Sequence, residues 1–135
     1  MIKKIKIFKI KSFKSYTGSL TPITFKKNFP FFVKRIFFLY GKKNKIRGNH
    51  AHKKCSQFFI PIYGNAVLTI KTNKKVKKIP LKRSTFNAVL IPPNYWCSIK
   101  FLNQNSIIMV ACDRFYETND YIKNFNLYLK HLRKK

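Results

Sequence analysis

The sequence predicts an all-β barrel or sandwich closed by one C-terminal helix. Two observations carry that prediction. Short apolar and aromatic runs, bounded by Gly, Pro, Asn or Ser, recur roughly every ten residues as far as Cys112. Beyond Asn119 the apolar residues fall three and four apart instead, which is helical spacing.

Taken in order, residues 2–10 are rich in Lys and Ile and partly alternating, as an opening strand would be. Residues 12–19 are polar, contain Gly18 and predict a turn, after which residues 20–25 resume a short β segment. Asn28, Phe29 and Pro30 break the chain. Residues 31–40 form the next strand, with Val33, Phe37 and Leu39 on one parity, and residues 41–45 make a basic loop. The stretch Arg47-Gly48-Asn49-His50-Ala51-His52-Lys53-Lys54 leads into an apolar strand over residues 57–63, and Gly64-Asn65 predicts a tight hairpin turn. Ala66, Leu68 and Ile70 then alternate with Val67, Thr69 and Lys71, a half-buried strand. Residues 76–81 return after a turn, residues 88–91 run into Pro92-Pro93, and residues 96–101 and 106–112 complete two more strands. In the terminal helix Ile122, Phe125, Leu129 and Leu132 form the apolar stripe. Asn119 is the expected N-cap, Asp120 suits the first turn and Lys134-Lys135 the last. This helix is expected to pack on the outside of the barrel, with His131 a surface residue without a role.

At 135 residues the chain makes one domain, residues 1–135, large enough to bury a core. Hydrophobic residues at 45% and aromatics at 16% exclude a disordered chain. The net charge of +27 would ordinarily suggest a polyanionic partner. Lys, Ile, Phe, Asn and Tyr are all over-used, however, and these are the residues of A- and T-rich codons. The lysines are also scattered along the chain, so charge alone does not predict nucleic-acid binding. Three cysteines without a CxxC spacing exclude a zinc knuckle or a disulfide framework. The basic N-terminus is too interrupted by Lys for a signal peptide, and no apolar run of about 18 residues could span a bilayer. The expected location is cytoplasmic, with no membrane partner.

Chemistry concentrates at His50 and His52, two of only three histidines. On a strand, i and i+2 share a face, so the two imidazoles stand side by side. Such a pair is a metal site, an acid–base site or an incidental one. Metal is disfavoured because three or four protein ligands are usual, and no carboxylate precedes Asp113. Gln57, five residues beyond His52, is a poor ligand. Without a metal, paired imidazoles are suited to proton transfer near neutral pH. Arg47, Lys53 and Lys54 would favour the neutral, basic form and attract an anionic substrate.

RGNHAHKKCSQFF is similar to the signature of the sugar 3,4-ketoisomerases, a cupin family acting on dTDP-4-keto-6-deoxyglucose. GSLTPITF, FPFFVKRIFFLY, IPPNYW and FYETNDYIKNFNLYL resemble further blocks of that family, in order and over roughly residues 18–129. The resemblance implies an all-β cupin, a double-stranded β-helix (jelly-roll) barrel with a C-terminal α-helix. It implies an enzyme that uses no cofactor and no metal and shifts the ketone of a dTDP-linked keto-deoxyhexose from carbon 4 to carbon 3 through an enediol. Under it His50 is the main base and His52 a second acid–base group or an orienting partner. Tyr40 bonds the sugar or relays a proton, Arg35 and Arg47 hold the diphosphate, and Gln57 binds a sugar hydroxyl or fixes an imidazole. It also implies a homodimer that exchanges N-terminal strands.

Thr17, Thr24 and Cys97 depart from residues common in the family, which leaves the product's configuration open. Two other readings remain: a cupin that binds the sugar nucleotide without turnover, and an epimerase on the same substrate class. A nucleic-acid-binding barrel ranks last.

Overall fold

The computed structural model describes residues 3–135, so Ile2 of the expected opening strand lies outside the described residues. Two five-stranded antiparallel sheets face each other. The first runs in the order β1 (Lys6–Lys9), β9 (Asn87–Ile91), β6 (Gln57–Tyr63), β11 (Ser106–Cys112), β4 (Arg35–Gly41). The second runs β12 (Tyr121–Ile122), β5 (Ile46–His52), β10 (Trp96–Phe101), β7 (Asn65–Lys71), β8 (Val76–Lys82). A separate hairpin joins β2 (Phe13–Ser15) to β3 (Gly18–Leu20). From β4 onward, sequence neighbours thus lie in opposite sheets, as in a jelly roll, except for the β7–β8 hairpin, and the strand assignments from β6 to β11 agree with the periodicity.

Alternation divides the apolar residues between two layers. Inward-facing Phe59, Leu68, Ile70, Leu81, Val89, Ile99, Phe101, Ile108 and Val110 fill the space between the sheets. The outward parity of the first sheet, including Phe58, Ile60, Met109 and Ala111, is covered by Phe8, Ile23, Phe29, Phe31 and Val33 from the N-terminal segment. Phe29 packs edge-on against Phe58 with ring centres 4.9 Å apart.

Three expectations are corrected. Gly64-Asn65 does not close a hairpin: β6 pairs with β9 and β11, β7 with β8 and β10, so Gly64 is a corner between the sheets. Its φ is +75° and a Cβ there would meet Ser106 Oγ at 2.6 Å, so glycine is required by backbone and space alike. Residues 12–19 form the hairpin of β2 and β3 instead of a bare turn, and 21–25 carry no strand.

The helix begins later than its stripe suggests. Residues Thr118–Asp120 form a 3-10 turn, Tyr121–Ile122 add a short strand to β5, and α1 spans Phe125–Arg133. Its N-cap is Asn124, whose side chain accepts from the Leu127 amide at 3.1 Å. Asn119 has the right chemistry, but pairing of Tyr121 with His52 keeps the chain extended there. The helix packs Phe125, Leu129 and Leu132 over Ala51, Trp96 and Ile122. Tyr128, fully buried, donates its hydroxyl to the Lys71 or Asn94 carbonyl. His131 is tied to the Asn94 side chain at 2.7 Å, so it pins the helix to the loop before β10.

Candidate active site

Between the sheets, near the start of β4 and the end of β5, opens a pocket of about 440 Å³. Arg35, Phe37 and Leu39 line one wall, Arg47, Gly48 and His50 the facing wall, with Gln57 and Phe59 from β6, Cys97 and Ser98 from β10, and Tyr116 and Tyr121 at the C-terminal end.

One local irregularity makes this wall. Strict alternation would put Arg47 and His50, three residues apart, on opposite faces of β5. The β5–β10 register slips between Cys97, opposite His50, and Ser98, opposite Gly48, leaving Asn49 as an extra residue. Gly48 and Asn49 both take positive φ, +91° and +59°. A Cβ on Gly48 would come within 3.0 Å of the Cys97 carbonyl oxygen. The bulge brings Arg47 onto the same pocket as His50.

His50 lines the pocket, whereas His52 lies behind it and is 5% exposed. Their rings meet edge to face, 5.1 Å between centres. Burial, then His52, push the His50 pKa down to about 4, so the imidazole is neutral at pH 7. Burial also lowers the pKa of His52, although Asp120 pulls the other way. Asp120 Oδ2 lies 2.8 Å from His52 Nδ1, and its Oδ1 accepts from the Lys54 amide at 2.7 Å. Burial would raise the Asp120 pKa, but the hydrogen bonds from His52 and Lys54 outweigh it and hold the carboxylate below its usual range. An ionised Asp120 beside a neutral His52 fixes the proton on Nδ1 and leaves Nε2 a bare lone pair. That Nε2 is buried and has no hydrogen-bond partner. The carboxylate expected from sequence in a helix turn is thus the partner of His52, 68 residues away, and no spacing rule signals it.

Arg35, Cys112 and Gln57 are register partners across β4, β11 and β6, and form one inward-facing row. Arg35 Nη2 approaches Cys112 Sγ at 3.7 Å, and its guanidinium lies 5.5 Å over the rings of both Phe37 and Tyr116. Burial opposes the charge of Arg35, but Cys112 and Tyr121 more than compensate, and its pKa is raised. The neighbouring Cys112, then burial, push the Cys55 thiol pKa up, whereas Cys55, with help from Arg35, lowers that of Cys112 to about 7. Gln57 is buried on the pocket floor. Burial pushes the Cys97 thiol up to about 12, so it is protonated.

Tyr40 is not brought to this pocket. It has the opposite parity to Arg35, Phe37 and Leu39, stands on the outer face of β4 and is 71% exposed, away from its own chain's pocket. The phenols that do line the pocket, Tyr116 and Tyr121, come from the closing segment, where the sequence offers family resemblance but no spacing that marks them.

His52, Cys55 and Asp120 bring possible ligand atoms within 4.8 Å of one another. Each already has a partner: His52 and Asp120 bond each other, and the Cys55 thiol donates to the Ser56 carbonyl at 3.4 Å. His52 Nδ1, the Asp120 carboxylate and the Cys55 thiol are thus engaged with protein partners, while His52 Nε2 has none.

The chain matches the family model described as FdtA: WxcM-like, C-terminal, over residues 3–133. It is 27% identical over 130 residues to a TDP-4-oxo-6-deoxy-α-D-glucose-3,4-oxoisomerase of Aneurinibacillus thermoaerophilus, covering 96% of this chain and 93% of that one. Among solved structures it is similar to QdtA, a sugar 3,4-ketoisomerase from Thermoanaerobacterium thermosaccharolyticum bound to TDP. The TM-score is 0.90 and the identity 28%, covering 99% of this chain and 98% of that one. A mutant of QdtA has been solved with TDP-4-keto-6-deoxyglucose. The TDP-quinovose 3,4-ketoisomerase WlaRB of Campylobacter jejuni has a TM-score of 0.85 and 29% identity, covering 96% and 99% of the two chains.

Proposed function

The chain belongs to the FdtA, WxcM-like C-terminal family, and from that premise we propose that it is a TDP-4-keto-6-deoxyglucose 3,4-ketoisomerase. The observation that carries the reading is His50: a neutral imidazole on the wall of a pocket that also holds Arg35 and Arg47.

The reaction moves one hydrogen from carbon 3 to carbon 4 and one from oxygen 3 to oxygen 4. His50 takes the carbon 3 proton, an enediol forms, and His50 returns the proton to carbon 4. A neutral imidazole can accept that proton, and the imidazolium it becomes exchanges with solvent before it gives one back. His52, hydrogen-bonded through Nδ1 to Asp120 and buried behind His50, orients its neighbour and does not touch substrate. Arg47, at the exposed rim, holds the diphosphate. Arg35 is deeper and engaged with Cys112, which suits it to the inner phosphate or the sugar end. Gln57, beside Cys112 on the floor, bonds a sugar hydroxyl.

The protein works as a homodimer. The hairpin of β2 and β3 is exposed along its whole length, including Phe13 and Leu20, and a lone two-stranded hairpin is marginally stable in water. The first sheet also ends at β4, whose free edge and outer residues Ile36, Phe38 and Tyr40 are exposed. A second copy supplies cover for both. Strand β1 pairs with β9 of its own chain, so any exchange involves the hairpin. Three unpaired cysteines suit a reducing, cytoplasmic setting. No helix among the described residues is long and apolar enough to cross a membrane.

The test is NMR of the protein with TDP-4-keto-6-deoxyglucose in deuterated buffer, beside His50→Ala. Formation of a 3-keto sugar with deuterium at carbon 4, lost in His50→Ala, is the expected result. Deuterium entering with no ketone shift would make the protein an epimerase, and binding with neither would make it a sugar-nucleotide sensor.

A further inference from the structure

Carbon and oxygen protons must both move, and the histidines account for only one of them. His50 reaches substrate, but His52 is buried outside the pocket lining, so the proton that passes from oxygen 3 to oxygen 4 needs another carrier. Phe37 offers no hydroxyl. Of the two phenols in the pocket, Tyr121 is the one packed on the imidazoles, 5.0 Å from His50 and 4.4 Å from His52 between ring centres. Pairing of β12 with β5 sets it directly opposite His52. Tyr116 stacks behind it at 5.6 Å.

We propose that Tyr121 is a catalytic residue that carries the oxygen proton, giving it to oxygen 4 in the first half-reaction and recovering it from oxygen 3 in the second. The inference rests on the ketoisomerase reading. In the first half, His50 removes the carbon 3 proton and the C–H pair becomes the C3=C4 bond. The carbonyl π pair at oxygen 4 then takes the Tyr121 proton. In the second, the phenolate takes the proton from oxygen 3, the O–H pair forms the new carbonyl, and the C3=C4 pair takes the proton back from His50 at carbon 4. Both residues return to their starting states.

Two features suit the phenol to this task. Burial raises its pKa, so the resting group is a proton donor. The Arg35 guanidinium opposes that shift and stabilises the phenolate formed in mid-reaction. Arg35 thereby serves the chemistry through Tyr121 as well as binding anionic substrate.

Tyr121→Phe keeps the ring and its packing on both histidines and removes only the hydroxyl. Isomerisation in deuterated buffer is expected to fall by about 100-fold or more, with TDP affinity and thermal unfolding unchanged. Carbon 3 of recovered substrate should still exchange, because His50 remains, so exchange outruns product where the wild type forms product. A Tyr121→Phe protein that isomerises within about threefold of wild type would overturn the proposal. So would exchange and isomerisation falling in the same ratio, since Tyr121 would then only position His50. Should the Phe variant not fold, 3-fluorotyrosine at position 121 gives the same decision: a rate that ignores phenol acidity overturns the proposal. Wild-type protein that shifts no ketone would overturn the ketoisomerase reading and the inference with it, an outcome distinct from a failure of the Phe variant alone.

Discussion

Asp120→Asn isolates what the buried carboxylate does, because it keeps the shape and removes the charge. Asp120 has two jobs: Oδ1 accepts from the Lys54 amide at 2.7 Å and Oδ2 faces His52 Nδ1 at 2.8 Å. An amide oxygen can keep the first bond, which leaves the NH2 group pointing at Nδ1. That contact is tolerable only if the His52 proton moves to Nε2, inverting the tautomer. A charge-assisted bond contributes about 1.5–3 kcal/mol and a neutral one about 1 kcal/mol, so the loss is about 1–2 kcal/mol. For a chain of this size that is roughly 4–8 °C in Tm. The pH dependence has a definite sign. Asp120 is held below its usual range, so its contribution is present above the unfolded carboxylate pKa and is lost as pH falls through the lower folded value. The gap between wild type and variant should be full at pH 7 and close in strong acid. Since His52 acts through its neighbours, the expected loss in kcat is between about 10- and 100-fold, less than a misdirected base itself would cost. Imidazole nitrogen NMR reads the tautomer, and thermal melts from pH 7 downward read the linkage. An Asp120→Asn protein that keeps the Nδ1–H tautomer and wild-type kcat would refute the reasoning.

Four further outcomes follow from the same geometry. The His50 pKa of about 4 predicts kcat/KM that stays level from pH 8 to below 6 and falls only toward pH 4, where an unperturbed histidine would lose activity near 6.5. The same shift predicts that stability conferred by neutral His50 is present above pH 6.5 and declines as pH falls toward 4, which melts across that window will read. Gly48→Ala, with φ at +91° and the Cys97 carbonyl at 3.0 Å from the new Cβ, should cost about 1–3 kcal/mol and flatten the bulge; TDP affinity should fall with it, as Arg47 leaves the pocket face. Arg47→Ala should weaken TDP binding by about tenfold or more in titration calorimetry and change kcat little, because it grips the diphosphate and not the reacting carbons.

What the sequence makes legible here is whatever period 2 encodes. Strands β7, β8 and β10 can be drawn from alternation because each buries one face, and a slip of one residue would expose the whole set, while β6, β9 and β11, buried on both faces, read as short apolar runs between turn residues. Three features escape, the first two because they depend on pairing between distant segments. Gly64-Asn65 has hairpin chemistry, yet β6 and β7 enter different sheets, and nothing local says so. Asp120 has helix-start chemistry, yet Tyr121 pairs with His52 and the carboxylate turns inward. Tyr40 follows Arg35 at the spacing the resemblance suggests, yet an odd separation on an unbroken strand puts the two side chains on opposite faces. Arg47 and His50 are also an odd number apart and do share a face, because Gly48-Asn49 inserts the bulge that β4 lacks. Parity therefore decides which residues of a motif reach the pocket, and the bulge decides parity. A Gly-Asn pair inside a strand is itself a bulge signature, because both residues tolerate positive φ, so the local signal that separates Arg47 from Tyr40 is written in the two residues ahead of His50.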